Sequence, residues 1–336
     1  METIRNTQRF QHTFLLVIII LAIGITIYFT GGYGGDKSIE IKKNRIMFDT
    51  VIRIKLVGKS DDNFASIYEI IWDKLSEIEN SLDRYNIDGQ LYSLNYIDSS
   101  MFVDKHLAEL INEGLRAYEY TGGIFDIRCG ELIDIWDFAG EGRIPEQIEI
   151  DSALFRMQIP FEFSQDTIFK NSVFPIIDVG GMAKGYAIDR ISSILDTIQN
   201  IEEYIIDLGG NIAVKSNDKE QFKIGIQHPR EPNRVAAKFE MQSGKCCATA
   251  GDYQRYFEFK GKRYHHIINL KTGYPARKSV SVTVIAPSGL EADILSTAFF
   301  IMGAKTSLKY LKQHPEAHAI FLNSKGEAIS GNINLN

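Results

Sequence analysis

Two short apolar runs in the middle of the chain, at 174–178 and 204–207, lead into near-identical segments, IIDVGG (176–181) and IIDLGG (205–210). Between them lies a single helical pattern, in which Ala187, Ile188, Ile191, Ile194, Leu195 and Ile198 recur every three or four residues. A strand, a glycine-rich turn, a helix and a second strand in that order restrict the chain to folds that mix sheet and helix. The flanking sequence does not continue as strict βα alternation. Residues 51–57 alternate apolar and charged, the period of a half-buried strand. A long amphipathic helix follows from Phe64 to Leu82, capped by Asp61 or Asp62. A second helix starts at Asp104 and stops at Gly122-Gly123. Residues 145–172 read as irregular or hairpin structure. Strands are predicted at 264–268 and 279–286 around a Thr272-Gly273 turn, helices at 290–302 and 305–314, and a last hairpin at Ser324-Lys325-Gly326. This order predicts an α+β fold, not a doubly wound sheet, and 336 residues suffice for one large bilobal unit.

Residues 14–29, FLLVIIILAIGITIYF, form an apolar run preceded by Arg5 and Arg9 and followed by a glycine-rich stretch. As a helix it spans about 24 Å, short of the ~30 Å hydrocarbon core without its flanks, so an uncleaved anchor and a cleaved signal share this pattern. The length of the run and the lack of an A-x-A site favour the anchor. Arg5 and Arg9 then keep the N-terminus in the cytoplasm. Residues 1–36 are thus expected to hold a single-pass segment in the inner membrane, and 37–336 a domain on its extracytoplasmic, periplasmic side. The chain carries 37 Lys+Arg against 43 Asp+Glu, a net charge of −6, and no Lys/Arg run, which argues against a nucleic-acid surface. Cys129, Cys246 and Cys247 have neither disulfide-framework nor zinc spacing and read as small buried hydrophobes.

Several constellations carry possible chemistry. Gly180-Gly181-Met182-Ala183-Lys184-Gly185 joins a predicted strand to a helix start, where free backbone N–H groups and the helix dipole suit a phosphate. The same turn is equally explained by a need for positive φ, and it matches no common nucleotide fingerprint. Asp293 and Thr297 lie one helical turn apart, a pair of hard oxygen ligands suited to Mg²⁺; an early-helix carboxylate facing the dipole is the plainer reading. His265 and His266 are neighbours on a strand and face opposite sides, so one of them is a candidate base and the other structural. Thr121 to Asp126 combines a helix stop, an aromatic and a carboxylate, which by themselves are cap and core residues.

Taken together the chain resembles the FAD:protein FMN transferase (ApbE) family. The resemblance runs from Met47 to about Met302. It is carried in order by MFDT (47–50), SLDRYNIDGQLYSLN (81–95), TGGIFDIRCGELIDIWDFAG (121–140), IIDVGGMAKGYAID (176–189), IIDLGGN (205–211), CATAGDYQRYF (247–257), RYHHIINLKTGYP (263–275) and EADILSTAFFIMG (291–303). It implies a T-fold-like α+β architecture of mixed and antiparallel sheets flanked by helices. It also implies FAD as substrate, Mg²⁺ as cofactor, and transfer of FMN to a Thr or Ser hydroxyl of an acceptor flavoprotein with release of AMP. On this resemblance Met47, Tyr85, Ile124, Phe125, Asp126, Asp178, Lys184 and Ile268 are flavin-dinucleotide contacts. Gly181 or Ala183, through backbone oxygen, joins Asp293 and Thr297 around the metal, and His266 is the candidate base. The chain departs from the family pattern at Ala250, where T-S-G-D-Y has Ser, at Asn269-Leu270, where D-P-x-T-G has Asp-Pro, and at Ile124, usually Ala. An FAD hydrolase, with water replacing the protein hydroxyl, and a flavin-binding protein without turnover are the alternative readings.

Overall fold

A computed structural model describes residues 38–59, 64–96, 100–169, 174–330 and 333. The apolar run at 14–29 and the cap at Asp61 or Asp62 lie outside them. Among the described residues no helix is long and apolar enough to cross a membrane.

The centre is an eight-stranded sheet: β1 (Ile39–Met47), β2 (Thr50–Gly58), β3 (Ile201–Leu208), β4 (Asn211–Ser216), β5 (Cys246–Gly251), β6 (Ser281–Ala286), β7 (His318–Leu322) and β8 (Ala328–Ser330). The strands lie side by side in chain order, and every neighbouring pair is antiparallel. Excursions from this meander supply the rest of the molecule. Between β2 and β3 come α1 (Phe64–Leu82), α2 (Gln90–Tyr96), α3 (Lys105–Tyr120), α4 (Gly130–Trp136), α5 (Gln147–Met157) and α6 (Ala183–Leu195). Hairpins fill the gaps from β4 to β5 and from β5 to β6. Between β6 and β7 lie α7 (Gly289–Met302) and α8 (Ala304–Leu311). The fold is α+β built on an antiparallel sheet, as the mixed order of elements predicts.

Alternation on β2 decides which face is buried. Ile52, Ile54 and Leu56 point into the core opposite Leu208, Ile206 and Tyr204 of β3, and Ile67, Ile71, Leu75 and Ile78 of α1 pack in the same cluster. Each such side chain contributes about 1.5–3 kcal/mol of burial. Strand β6 is buried on both faces, which its near-continuous apolar sequence SVTVIA anticipates. Helix α7 runs through the interior with eleven of its fourteen residues buried, so the carboxylate of Asp293 is held there at a desolvation cost.

The strand expected at 264–268 ends at His265 and pairing resumes only at Ile268–Asn269, and two further local expectations fail. Residues 174–178 are extended but form no strand, because their backbone groups find other partners. Asn95 of α2 bonds both the N–H and the carbonyl of Ile177 at 2.9 Å, Gly130 N–H donates to Ile176 O, and Asp178 N–H to Ile127 O. Within 145–172, a helix, α5, precedes the hairpin formed by Glu162–Ser164 and Thr167–Phe169. Its buried face is only Ile150, Ala153 and Met157, and its start is tied by the Glu149 carboxylate accepting from Glu146 N–H rather than by a Ser, Thr or Asp cap.

Helices α6 and α7 meet at Gly185 and Gly289. A Cβ on Gly185 would stand 2.2 Å from Gly289 O and 2.8 Å from Asp293 Cβ. Gly185→Ala is therefore expected to cost about 1–3 kcal/mol and to lower the melting temperature by several degrees, as overpacking against backbone does. An unchanged melting curve would refute this account of the helix contact.

Candidate active site

One cleft of about 900 Å³ gathers the glycine-rich turns and α7. Tyr85, Ile124, Phe125, Asp126, Asp178, Gly181, Ala183, Lys184, His266, Ile268, Asp293 and Thr297 all line it. Met47 does not: it is buried at the end of β1 in the main core, and the following turn residues Phe48 and Asp49, both at positive φ, reach the cleft.

The turn 178–185 brings the cleft to the start of α6. Neither Gly180 nor Gly181 has positive φ, so conformational freedom is not what this turn requires of them. Space is: a Cβ on Gly181 would lie 3.1 Å from the Phe125 ring and 3.6 Å from Thr297 Oγ1. The N-cap residue of α6, Met182, offers no side-chain bond, and the Lys184 N–H finds no acceptor among the described residues. The neighbouring N–H groups of Ala183, Gly185 and Tyr186 are taken, by Val179 O, Asp293 and Met182 O, so the free Lys184 N–H and the lysine charge are what this helix start offers an anion. In the second copy of the motif it is Gly209 and Gly210 that hold positive φ, at 64° and 99°, in the hairpin between β3 and β4. The two copies thus share a sequence and serve different turns.

On the far side of that turn Asp293 is 6% exposed, and its Oδ2 accepts from Gly185 N–H at 2.9 Å. Burial raises its carboxyl above the ordinary range, against the opposing pull of the Lys184 charge, the Asn211 amide and the Gly185 N–H. A carboxylate that is costly to ionise, with a hydroxyl one helical turn away, is a pair of hard oxygen donors. One carboxylate and one hydroxyl, with no nitrogen or sulfur donor between them, fit Mg²⁺, which takes few carboxylates, better than a transition metal.

Asp178 and Asp126 are committed to local cations. Arg84 Nε stands 2.7 Å from Asp178 Oδ2, and the same guanidinium reaches Asp134 and lies over the Tyr85 ring at 4.5 Å. Burial lowers the Arg84 pKa, but Asp178 and Asp134 outweigh it and the net shift is upward. Burial also pushes the Tyr85 hydroxyl up to about 12. Asp126 caps a short 3-10 turn and binds Arg128 through Nε and Nη2. These carboxylates shape the wall and hold the aromatic side chains; Asp178 also accepts from Gly180 N–H at 2.7 Å, and Asp293, which has no cation partner among the described residues, meets the turn at Gly185.

The two histidines separate because the strand ends at His265 and the chain bends at His266. His265 is buried, donates from Nε2 to Ala276 O at 2.9 Å, and packs edge-on to Phe300. His266 lines the cleft, and its Nδ1 lies 3.2 Å from Arg255 O, which assigns the proton to Nδ1. Nε2 is left without a partner among the described residues. Burial lowers its pKa to about 3, against the Arg255 carbonyl and with the help of the Arg255 and Lys184 charges. The ring is neutral at physiological pH and presents a free acceptor nitrogen to the cleft.

Sequence reasoning passed over Arg84, Asn211 and Arg255. Arg84 and Asn211 lie inside the quoted segments SLDRYN and IIDLGGN, yet nothing local marks their partners, which are 94 and 82 residues distant. Arg255 also pairs with Asp49 at 2.8 Å, across 206 residues. The departures from the family pattern are absorbed. Asn269 accepts from Lys271 N–H through its side chain and from Thr272 and Gly273 N–H through its carbonyl, so the turn closes without Asp-Pro. Ala250 fills a place in the core beneath α7.

Residues 48–321 match the ApbE family. A curated relative, FAD:protein FMN transferase of Treponema pallidum, is 27% identical over 317 residues, 87% of each chain. Among solved structures, the ApbE protein of Thermotoga maritima superposes with a TM-score of 0.77 at 31% identity, covering 87% of this chain and 97% of that one. The apo form of the Pseudomonas stutzeri flavinyl transferase ApbE gives 0.76 at 25% identity, over 88% and 95%. With the family pattern matched along most of its length on the same α+β architecture, the chain belongs to the ApbE family.

Proposed function

We propose that this protein is a Mg²⁺-dependent FAD:protein FMN transferase, moving FMN from FAD to a Thr or Ser hydroxyl of an acceptor flavoprotein and releasing AMP. A flavin-transferring enzyme is what the names of its relatives describe. The observation that carries this reading is the convergence on one cleft of a cationic helix start, a buried carboxylate with a hydroxyl one helical turn on, and a neutral histidine with a free nitrogen.

In this reading the diphosphate of FAD lies against the 180–185 turn, where the side chain and the free N–H of Lys184 meet its charge. Asp293, Thr297 and a backbone oxygen of Gly181 or Ala183 hold Mg²⁺, which when bound neutralises charge on the diphosphate. His266 Nε2 accepts the proton of the acceptor hydroxyl as its oxygen bonds to the FMN phosphorus. The P–O bond to AMP breaks, and AMP leaves with the electron pair. Arg255 O fixes the tautomer that makes this possible. Tyr85, Phe125 and Ile268 provide apolar and aromatic wall for the flavin.

Lys184→Gln is expected to weaken FAD binding about ten-fold, the loss of one charge-assisted contact, with a smaller effect on turnover of the saturated enzyme. Equal FAD affinity in the variant, by fluorescence titration, would contradict the assignment of Lys184. The function is tested by incubating the full chain in detergent with FAD, Mg²⁺ and a candidate acceptor flavoprotein, following in-gel flavin fluorescence and AMP together. Covalent fluorescence with matching AMP supports the transferase. AMP without labelling would indicate hydrolysis, and bound FAD without AMP a carrier.

We further propose that residues 1–36 anchor the protein in the inner membrane with the domain on the periplasmic side, supported by the apolar run at 14–29 behind Arg5 and Arg9.

A further inference from the structure

The chain carries a net charge of −6, yet one structure at the mouth of the cleft is basic. The two-stranded ribbon formed by Tyr256–Phe259 and Lys262–His265 pairs with no other strand among the described residues. On it and at its base are Arg255, Lys260, Lys262 and Arg263, against a single acidic side chain, Glu258. Arg277 joins them by donating to Arg263 O at 2.6 Å. These residues are scattered enough in sequence that no Lys/Arg run is visible.

The cations are organised over aromatic rings. Arg263 lies 3.9 Å from the Tyr256 centroid, Lys260 5.2 Å from Phe259, and Lys262 and Arg277 each 5.3 Å from Tyr264. Tyr256 and Phe259 are 43% and 48% exposed. Glu258 is taken by Arg263 at 3.0 Å, and Arg255 is paired with Asp49. Lys260, Lys262 and Arg277 have no ion-pair partner among the described residues.

The ribbon is also continuous with the cleft. Arg255, Tyr256 and Arg263 line it, and the strand ending at His265 delivers His266 directly into it. A second macromolecular substrate that brings a hydroxyl to His266 would meet this ribbon beside the cleft. We propose that the ribbon from Tyr256 to His265 is the docking surface for an acidic, extended segment of the acceptor flavoprotein, carboxylates meeting Lys260, Lys262 and Arg277 while the exposed ring of Phe259, on the same face as Lys262, covers its backbone. The inference rests on the transferase reading and adds what the acceptor must look like. Its continuity with the reaction cleft favours an acceptor protein over a lipid surface or a nucleic acid, which would need the cations but not the cleft.

The test uses the full chain in detergent and two fluorescent peptides, one with a central Thr flanked by Asp and Glu, the other by Asn and Gln. The acidic peptide is expected to bind at least about ten-fold more tightly, and more weakly as salt rises. The double variant Lys260→Glu, Lys262→Glu should lose that preference while binding FAD with unchanged affinity and melting at the same temperature. Equal binding of the two peptides, or an acidic preference that survives charge reversal, would overturn the inference. So would a charge-reversal effect confined to phosphatidylglycerol vesicles or to an oligonucleotide. Failure of the transferase reading would show separately, as a wild-type chain that neither labels an acceptor flavoprotein nor releases AMP.

Discussion

Asp293→Asn is expected to abolish Mg²⁺-dependent release of AMP, by about 10³-fold or more. The substitution keeps an oxygen able to accept the Gly185 N–H bond now made at 2.9 Å, so the packing of α6 on α7 survives. It removes the charge that would hold the metal. A metal ion that stabilises developing charge is worth several kcal/mol, and each 1.36 kcal/mol is ten-fold in rate. Because the side chain is buried and its pKa raised, losing the charge relieves a desolvation cost, and the variant should melt no lower than wild type in the absence of metal. The pH dependence follows with a definite sign. A carboxyl whose folded pKa lies above its unfolded value contributes stability that is present at low pH and lost as pH rises through the folded pKa. Mg²⁺ binds the ionised form, so its affinity should tighten as pH rises through that same value, and the Mg²⁺-induced rise in melting temperature should be larger at neutral than at acid pH. Wild-type turnover in the Asn variant, with its Mg²⁺ dependence intact, would contradict the metal assignment.

His266→Asn should lower turnover by about 10²–10⁴-fold, the usual worth of a positioned base, with FAD affinity nearly unchanged. The wild-type profile carries its own signature. With the folded pKa pressed down to about 3, the ring of the free enzyme is neutral far below the usual histidine range. The profile of kcat/KM should therefore show no acid limb near pH 6–7 from this residue. In the complex the negative diphosphate replaces the repelling influence of Lys184 and Arg255, so the limb in kcat should move upward relative to kcat/KM. Stability runs the same way: a histidine held neutral in the folded state costs stability as pH falls below its unfolded value, and the Asn variant should be more acid-resistant. A variant with undiminished turnover would remove His266 from the reaction.

Much of the site was legible because its residues act through short-range spacing. Asp293 and Thr297 are one helical turn apart whatever surrounds them, and Lys184 opens a helix after a glycine turn. Alternation predicted that His265 and His266 separate; they do so because the strand stops at His265, and the packing of His265 on Ala276 and Phe300 decides which faces the cleft. The strand pattern of 51–57 and the apolar period of 64–82 reappear in β2 and α1 because one face of each is buried against the other. What sequence could not carry is long-range satisfaction of polar groups. Residues 174–178 look like a strand, but Asn95 and the turn at 127–130 take the bonds that a neighbouring strand would make. Helix α5 hides three buried residues behind the exposed Ile148 and Phe155 and begins on a glutamate cap. The Arg84–Asp178 pair and the basic ribbon at 256–265 both depend on residues that meet only in the fold.

The most direct measurement of the central claim is a structure of the full chain with FAD and Mg²⁺. The diphosphate is expected against the 180–185 turn, the metal on Asp293 and Thr297, and His266 Nε2 facing the FMN phosphorus from the side open to the ribbon. FAD bound outside this cleft, or a diphosphate within it that touches neither Lys184 nor a metal on Asp293, would contradict that claim.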